Sequence, residues 1–481
     1  MNMDLQLLDE TRYLEWIHQG LPKTSHSPKI LIAGAGMAGL VAASELKRAG
    51  YEVQIIEAQQ RVGGRILTLR HPFSDGLFAE AGAMRIPVNH SLTLAYISRF
   101  GLKTIPFFNH NPMAFACFNG KKIRMREIDQ ASEFFGYELT HAEKQKSAEQ
   151  LWLDTIQPFI RKVEIEGSDG WDYIFREYDE YSVREFLEIK GWSEAAIERF
   201  GLLYNQEAIM NSSFLELLRE EVGQYYKDMI TIEGGMDQLP NAFLRELREN
   251  IWFGQKIIAI EQSNTSVTFH LRSFSGKHSV TGDFAIIALP FPVLRHLEVT
   301  PPFSPGKQKA IRQLHYDASA KIFLQFRRSF WEEEGIVGGS TVTDLAIRNL
   351  YYPQQSHPNG RGVLLASYTW GEDAQRWGSL PPEERLRQAL ENVTAIHPPA
   401  QDEFEVGYSY MWHDDEFAGG AFALFDPGQQ TVLYDHIRHP EGRICFAGEH
   451  TSLFHAWIQG AIESGLRAAF EITQMTASRT P

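Results

Sequence analysis

Residues 29–57 read KILIAGAGMAGLVAASELKRAGYEVQIIE. The short apolar run at 29–33 predicts a strand. Gly34, Gly36 and Gly39 follow at once in G-x-G-x-x-G spacing, so the turn can tighten and a pyrophosphate can approach the amides of the next helix. Met37 and Ala38, at the start of that helix, join the glycines as candidate contacts. Helical periodicity runs to Ala49, and Gly50 sits where a left-handed cap is expected. Residues 53–56 predict a second strand that ends in Glu57, about 20 residues past the glycines, with Ala58 beside it. A carboxylate there suits a free ribose hydroxyl and repels a 2′-phosphate. A merely tight strand-helix turn would not need the acid, so the stretch reads as a dinucleotide-binding βαβ unit and the fold class as α/β.

The 481 residues exceed one hydrophobic core and predict two or three domains. A net charge of −15 without an evident basic patch argues against nucleic acid or an anionic membrane surface as partner. Cys117 and Cys445 are the only cysteines, which leaves no disulfide framework, no C-x-x-C redox pair and no cysteine-rich metal site, and no metal is expected. The N-terminal MNMDLQLLDETRY lacks the basic and apolar regions of a secretory signal, and no segment approaches the roughly 18 apolar residues of a membrane span. The expectation is a soluble, cytoplasmic protein. Between 122 and 230 the sequence turns charged, aromatic and sparse in glycine, with apolar residues at three- and four-residue intervals; this predicts an inserted helical domain whose aromatic stripe is core. Residues 315–326, HYDASAKIFLQF, alternate like a strand, with Lys321 among apolar neighbours, where a lysine is costly unless paired or functional.

Further motifs carry a family resemblance. Arg61-Val62-Gly63-Gly64-Arg65, just after the βαβ unit, resembles the FAD signature of the flavin amine oxidase superfamily, in which Arg65 would fold over the pyrophosphate and neutralise it. Gly82-Ala83-Met84-Arg85-Ile86-Pro87 resembles the L-amino-acid oxidase branch. The resemblance implies that Gly82, Ala83, Met84 and Arg85 lie along the flavin, and that Arg85 also grips a substrate carboxylate with two parallel hydrogen bonds. G-G-M-x-x-L-P at 234–240, the run FWEEEGIVGGSTVTDLAIRNLYYP at 330–353, A-G-E-x-T at 447–451 and HAWIQGA at 455–461 extend the similarity, in family order, from Lys29 to Arg467.

By that resemblance the fold comprises a Rossmann-type FAD-binding domain (28–67, 231–315 and 432–475), a mixed-sheet substrate-binding domain (1–27, 68–121 and 316–431) and the helical insertion (122–230). Ile257 would pass the adenine. Trp412, Gly448, Glu449, Trp457 and Ile458 would surround the ribityl chain and the flavin. Lys321 would stand by the flavin N5, holding a water and assisting oxygen, as the one catalytic side chain. Tyr368 would face the same carboxylate as Arg85, Trp457 would form a cage wall, and the Ala456 carbonyl would accept from the substrate amine. Glu220, Gln224 and Ala421 would line the side-chain pocket; some members carry a histidine where this chain has Glu220, so a histidine base is not expected there.

No second G-x-G-x-x-G follows a strand, so electrons are expected from a bound organic substrate and not from a second nucleotide site. No cysteine lies near Gly420, where some relatives attach the cofactor, so FAD is expected to be noncovalent. The resemblance implies an L-amino-acid oxidase with an L-amino acid and dioxygen as reactants, in a homodimer or higher homo-oligomer. The alternatives are an amino-acid 2-monooxygenase, an amine or polyamine oxidase, and a flavin-binding scaffold without turnover.

Overall fold

The computed structural model describes residues 10–131 and 134–477; the first nine residues of the N-terminal stretch read above lie outside them. Five parallel strands form the sheet beneath the glycine turn, in the order Ile251–Trp252, Glu52–Ile56, Lys29–Ala33, Phe284–Ile287, Ile444–Phe446. Their near-continuous apolar runs follow from burial on both faces. Ile30 and Ile32 pack on the helices Met37–Arg48 and Ile458–Ala477, while Leu31 and Ala33 pack on the antiparallel strands Lys256–Gln262 and Val267–Ser273. The helices lie close because small residues permit it: a Cβ on Gly465 would come within 2.5 Å of the Ala38 carbonyl oxygen. Gly50, at φ +95°, ends the first helix as its position predicts.

Two boundaries depart from the expected domain division. The helix Glu10–Gln19, assigned by sequence order to the substrate domain, packs in the dinucleotide-binding core, with Trp16 stacked on Phe470 at 4.5 Å and the Tyr13 hydroxyl donating to Glu463 at 2.5 Å. The helix Ser91–Phe100 joins the same core through Leu92, Tyr96 and Phe100. Both are amphipathic, and their apolar faces are covered by Ile458–Ala477 and its neighbours and not by the second sheet.

That second sheet is mixed and seven-stranded, with Ser319–Phe326 between Phe404–Met411 and Gly362–Trp370. The run expected to be one alternating strand at 315–326 is two. His315–Asp317 pairs with Phe422–Leu424 in a separate ribbon, and every residue of Ser319–Phe326 is buried. One face, with Ala320, Ile322 and Leu324, is covered by the layer that includes Trp377, Ala389 and Val393; the other carries Lys321 and Phe323 toward the segment at 79–84.

Within 134–222 the chain is helical, and Ser147, Ser182 and Ser193 cap the N-termini of three helices with their side-chain oxygens. The aromatic stripe is core: Phe159, Phe186 and Phe214 pack together, the last two stacked at 3.5 Å. The helix Phe214–Val222 is buried in the helical core, and Glu216, Arg219 and Glu220 on its other face line, together with Phe422 and Leu424, a cavity shared with both sheets. Among the described residues no helix is long and apolar enough to cross a membrane, and no cluster of histidine, cysteine or carboxylate side chains could hold a metal.

Candidate active site

A cavity of about 480 Å³ begins at the carboxyl ends of the parallel strands, where ligands bind in open α/β sheets, and continues to the second sheet and the helical region. Its dinucleotide end is lined by Gly34, Gly36, Met37, Ala38, Glu57, Ala58, Gly64, Arg65 and Ile257. A Cβ on Gly36 would have no protein atom within 4 Å, which leaves the helix N-terminus open to close approach. Glu57 is fixed by two backbone amides, Ala35 N at 2.8 Å and Gln59 N at 2.7 Å; burial raises its pKa and these amides partly offset it. Gly39 is the exception. It does not line the cavity, and a Cβ there would lie 2.1 Å from the Gly34 carbonyl oxygen, so its role is to seat the helix on the strand.

Arg65 and Glu449 lock the middle of the cavity. Arg65 Nη1 donates to Glu449 Oε1 at 2.7 Å and to the Ala421 carbonyl at 3.0 Å, while Glu449 also accepts from the amides of Ala423 and Ala456 at 3.2 and 3.1 Å. Ala421 therefore contributes its backbone here as well as a small side chain. Trp412 Nε1 donates to the Ala81 carbonyl at 2.7 Å and fixes the indole beside Gly82 and Ala83. Gly82 must be glycine, because a Cβ would sit 1.9 Å from the Arg65 carbonyl oxygen. Gly448 donates its amide to Ser464 Oγ at 2.9 Å, and Ile458, at the first position of the last helix, completes this wall. These glycines, the ribose-facing acid and the helix N-terminus fit an extended dinucleotide with a flat ring system at its inner end.

The inner end is aromatic and charged. Lys321, only 2 % exposed, donates to the carbonyls of Glu80 at 2.9 Å and Gly82 at 2.7 Å, with Nζ 4.6 Å from the centre of the Tyr368 ring. Burial is the main cause that lowers its pKa to about 7, so the amine is poised between charged and neutral forms near physiological pH. Arg85 lines the cavity and donates to Asn109 Oδ1 at 2.5 Å and Tyr351 OH at 3.2 Å, beneath the rings of Tyr226 and Tyr351. Among the described residues no carboxylate pairs with it. Trp457 Nε1 donates to Glu220 Oε1 at 2.8 Å, and burial is the main cause that raises the Glu220 pKa to about 7. Ala456 sits at φ +64°, a left-handed conformation that a non-glycine residue adopts only when its surroundings enforce it; the bond from its amide to Glu449 does so.

Gln224 is not brought to the cavity. The helix ends at Val222 and Gln224 adopts φ +52°, which leaves it exposed and turns Tyr225 and Tyr226 inward in its place. The signal was the Tyr-Tyr pair next to it, but the helix end cannot be placed to within one residue from periodicity. Tyr351 and Asn109, the hydrogen-bond partners of Arg85, were missed because they come from segments distant in sequence. Also missed was a buried pair deeper in the wall: His455 Nδ1 lies 2.9 Å from Glu216 Oε1. Burial would raise the Glu216 carboxyl, yet His455, Arg219 and the Phe425 amide outweigh it and hold the pKa below the ordinary value.

Residues 37–473 match the family of flavin containing amine oxidoreductases. The chain belongs to that family. Its flavin site and its place among oxidoreductases follow from this membership, and the cavity lining described above lies within the matched span apart from Gly34 and Gly36. YobN of Bacillus subtilis (strain 168), named provisionally as an L-amino-acid oxidase, is 42% identical over 470 residues, covering 95% of this chain and 97% of that one. The L-amino-acid oxidase of Siganus canaliculatus is 35% identical over 480 residues, covering 97% of this chain and 89% of the other. Among solved structures, a redesigned putrescine oxidase superposes with a TM-score of 0.75 at 22% identity, over 93% of this chain and 99% of that one. Cyclohexylamine oxidase from Brevibacterium oxydans IH-35A gives 0.74 at 19%, over 94% and 100%. The last two share the fold of this amine oxidoreductase.

Proposed function

We propose that the chain is an FAD-dependent L-amino-acid oxidase, converting an L-amino acid, dioxygen and water to the 2-oxo acid, ammonia and hydrogen peroxide. The observation that carries this reading is Arg85: a cavity-lining guanidinium that faces three tyrosines and, among the described residues, no carboxylate, which a substrate carboxylate would complete. An oxidase of simple amines would have no use for it. When bound, the flavin accepts the hydride from the substrate Cα. The protein supplies the rest: Arg85 and Tyr368 grip the carboxylate, Trp457 confines the side chain, the Ala456 carbonyl accepts from the amine, and Lys321 holds a water and directs oxygen chemistry. FAD is held noncovalently in this reading, which the absence of both cysteines from the cavity wall supports. A cytoplasmic location and a homo-oligomer belong to the same proposal. Anaerobic addition of L-amino acids to the holoenzyme is expected to bleach the flavin band, with D-enantiomers and glycine inert; a spectrum that no amino acid alters contradicts amino-acid oxidation and leaves an amine oxidase or a flavin-binding scaffold.

Side-chain selectivity rests on Glu220. A carboxyl whose pKa is raised to about 7 is mostly protonated and neutral below that pH and ionised above it. Large apolar side chains suit the neutral form and basic ones the ionised form. The ratio of kcat/KM for L-arginine to that for L-phenylalanine is therefore expected to rise, by up to about a hundredfold, between roughly pH 6 and 8, and Glu220→Ala should lower that ratio and flatten its pH profile. A wild-type ratio that stays flat with pH would remove Glu220 from the substrate's surroundings.

A further inference from the structure

A second cavity, of about 360 Å³, shares one wall residue with the first, Met84. Its floor is apolar, built from Leu77, Ala79, Phe107, Phe323, Val363 and Leu365. These residues belong to the same apolar cluster as Met84, Tyr368 and Trp457, so the wall between the two cavities is apolar packing with Met84 on both sides. The strand register explains the arrangement: Lys321 pairs with Tyr368 and, two residues on, Phe323 pairs with Leu365, which sets the cavities side by side along one face of the sheet. Lys321 Nζ lies 3.6 Å from Met84 Sδ and donates to the carbonyl of Glu80, itself a wall residue of the second cavity.

The charged side chains Arg361 and Glu80 of the rim are already engaged, while Glu233 and His357 also line it. Arg361 is paired with Asp75 at 2.8 Å and Glu405 at 3.2 Å, Gln354 accepts from the Phe108 amide at 2.8 Å, and Glu80 accepts from Thr68 and the Met236 amide. Over the apolar floor an amino acid or keto acid would lose its hydration without compensation. A small, uncharged, apolar molecule loses little and gains a dry floor.

We propose that the second cavity is a dioxygen site that feeds the reaction centre at Lys321 past Met84. The inference rests on the oxidase reading, in which dioxygen takes up two electrons and two protons from the reduced flavin and its surroundings to leave as hydrogen peroxide. Oxygen that arrives through the second cavity does not compete with the amino acid or its product for the main one. Met84 suits the boundary, because an unbranched thioether side chain changes rotamer easily and lets a diatomic molecule by.

Xenon, an apolar probe of such cavities, tests the site directly in pressurised crystals of the holoenzyme. Xenon is expected against Phe323 and Leu365, and Val363→Trp, which fills the space from the strand, is expected to exclude it. In solution the same variant should keep its anaerobic reduction by L-amino acid within about twofold while the bimolecular reoxidation by oxygen falls by about fivefold or more. Xenon absent from the second cavity of the unsubstituted enzyme, or reoxidation of Val363→Trp at the full rate, overturns the proposal. An unsubstituted enzyme that L-amino acids reduce but oxygen does not reoxidise overturns the oxidase reading and this proposal together, and that result is read without any variant.

Discussion

Replacing Arg85 with methionine leaves the flavin bound and lowers kcat/KM for every L-amino acid by roughly 30- to 4,000-fold, the equivalent of about 2–5 kcal/mol. The range is that for truncating one partner of a hydrogen-bonded charge pair, and it is large because the substrate carboxylate would then be buried without its cation. Flavin retention is expected because Arg85 takes no part in the Arg65–Glu449 lock or in the amides that fix Glu57. The loss should appear in KM and kcat together, since a substrate held loosely also presents its Cα poorly. Steady-state kinetics over a panel of L-amino acids, with the flavin content measured alongside, checks both halves; an Arg85→Met enzyme that keeps full kcat/KM for its best substrate removes Arg85 from carboxylate binding.

Lys321→Met is expected to act on the other half of the cycle. Reoxidation by oxygen should slow by about 10²-fold, while anaerobic reduction by substrate changes by only a few-fold. The physical ground is the position of the amine: buried, with a pKa lowered to about 7, and held by the carbonyls of Glu80 and Gly82 on the segment that leads to Arg85. Methionine matches the length but cannot donate, so those two carbonyls lose a partner and stability falls as well, by about 1–3 kcal/mol. Rapid-mixing measurement of the two half-reactions separates the effects. Equal slowing of both would mean that Lys321 only shapes the strand.

What the sequence made legible was local. The glycine spacing and the terminal acid at Glu57 state their geometry within a few residues, and each is found in the element expected of it. Lys321 stood out because a lysine in an apolar run has few innocent explanations. The parts that stayed hidden depend on long-range assembly. Tyr351 and Asn109 meet Arg85 across separations of 266 and 24 residues, and nothing in either neighbourhood announces the encounter. The helix Glu10–Gln19 carries an apolar face, but which core covers it is decided by the last helix of the chain. Gln224 shows the finer limit: the helix ends at Val222, and the left-handed turn at Gln224 puts the two following tyrosines, not its amide, in the cavity wall. Gly39 shows that one glycine of a motif can serve packing while its neighbours line the cavity.

Product stoichiometry in air decides whether the protein deaminates L-amino acids oxidatively. For each L-amino acid consumed, the holoenzyme with catalase omitted is predicted to consume one dioxygen and release one 2-oxo acid, one ammonia and one hydrogen peroxide, as the balanced reaction requires. Release of carbon dioxide and the chain-shortened amide in place of the 2-oxo acid and ammonia would contradict it and assign the same carboxylate-binding site to a monooxygenase.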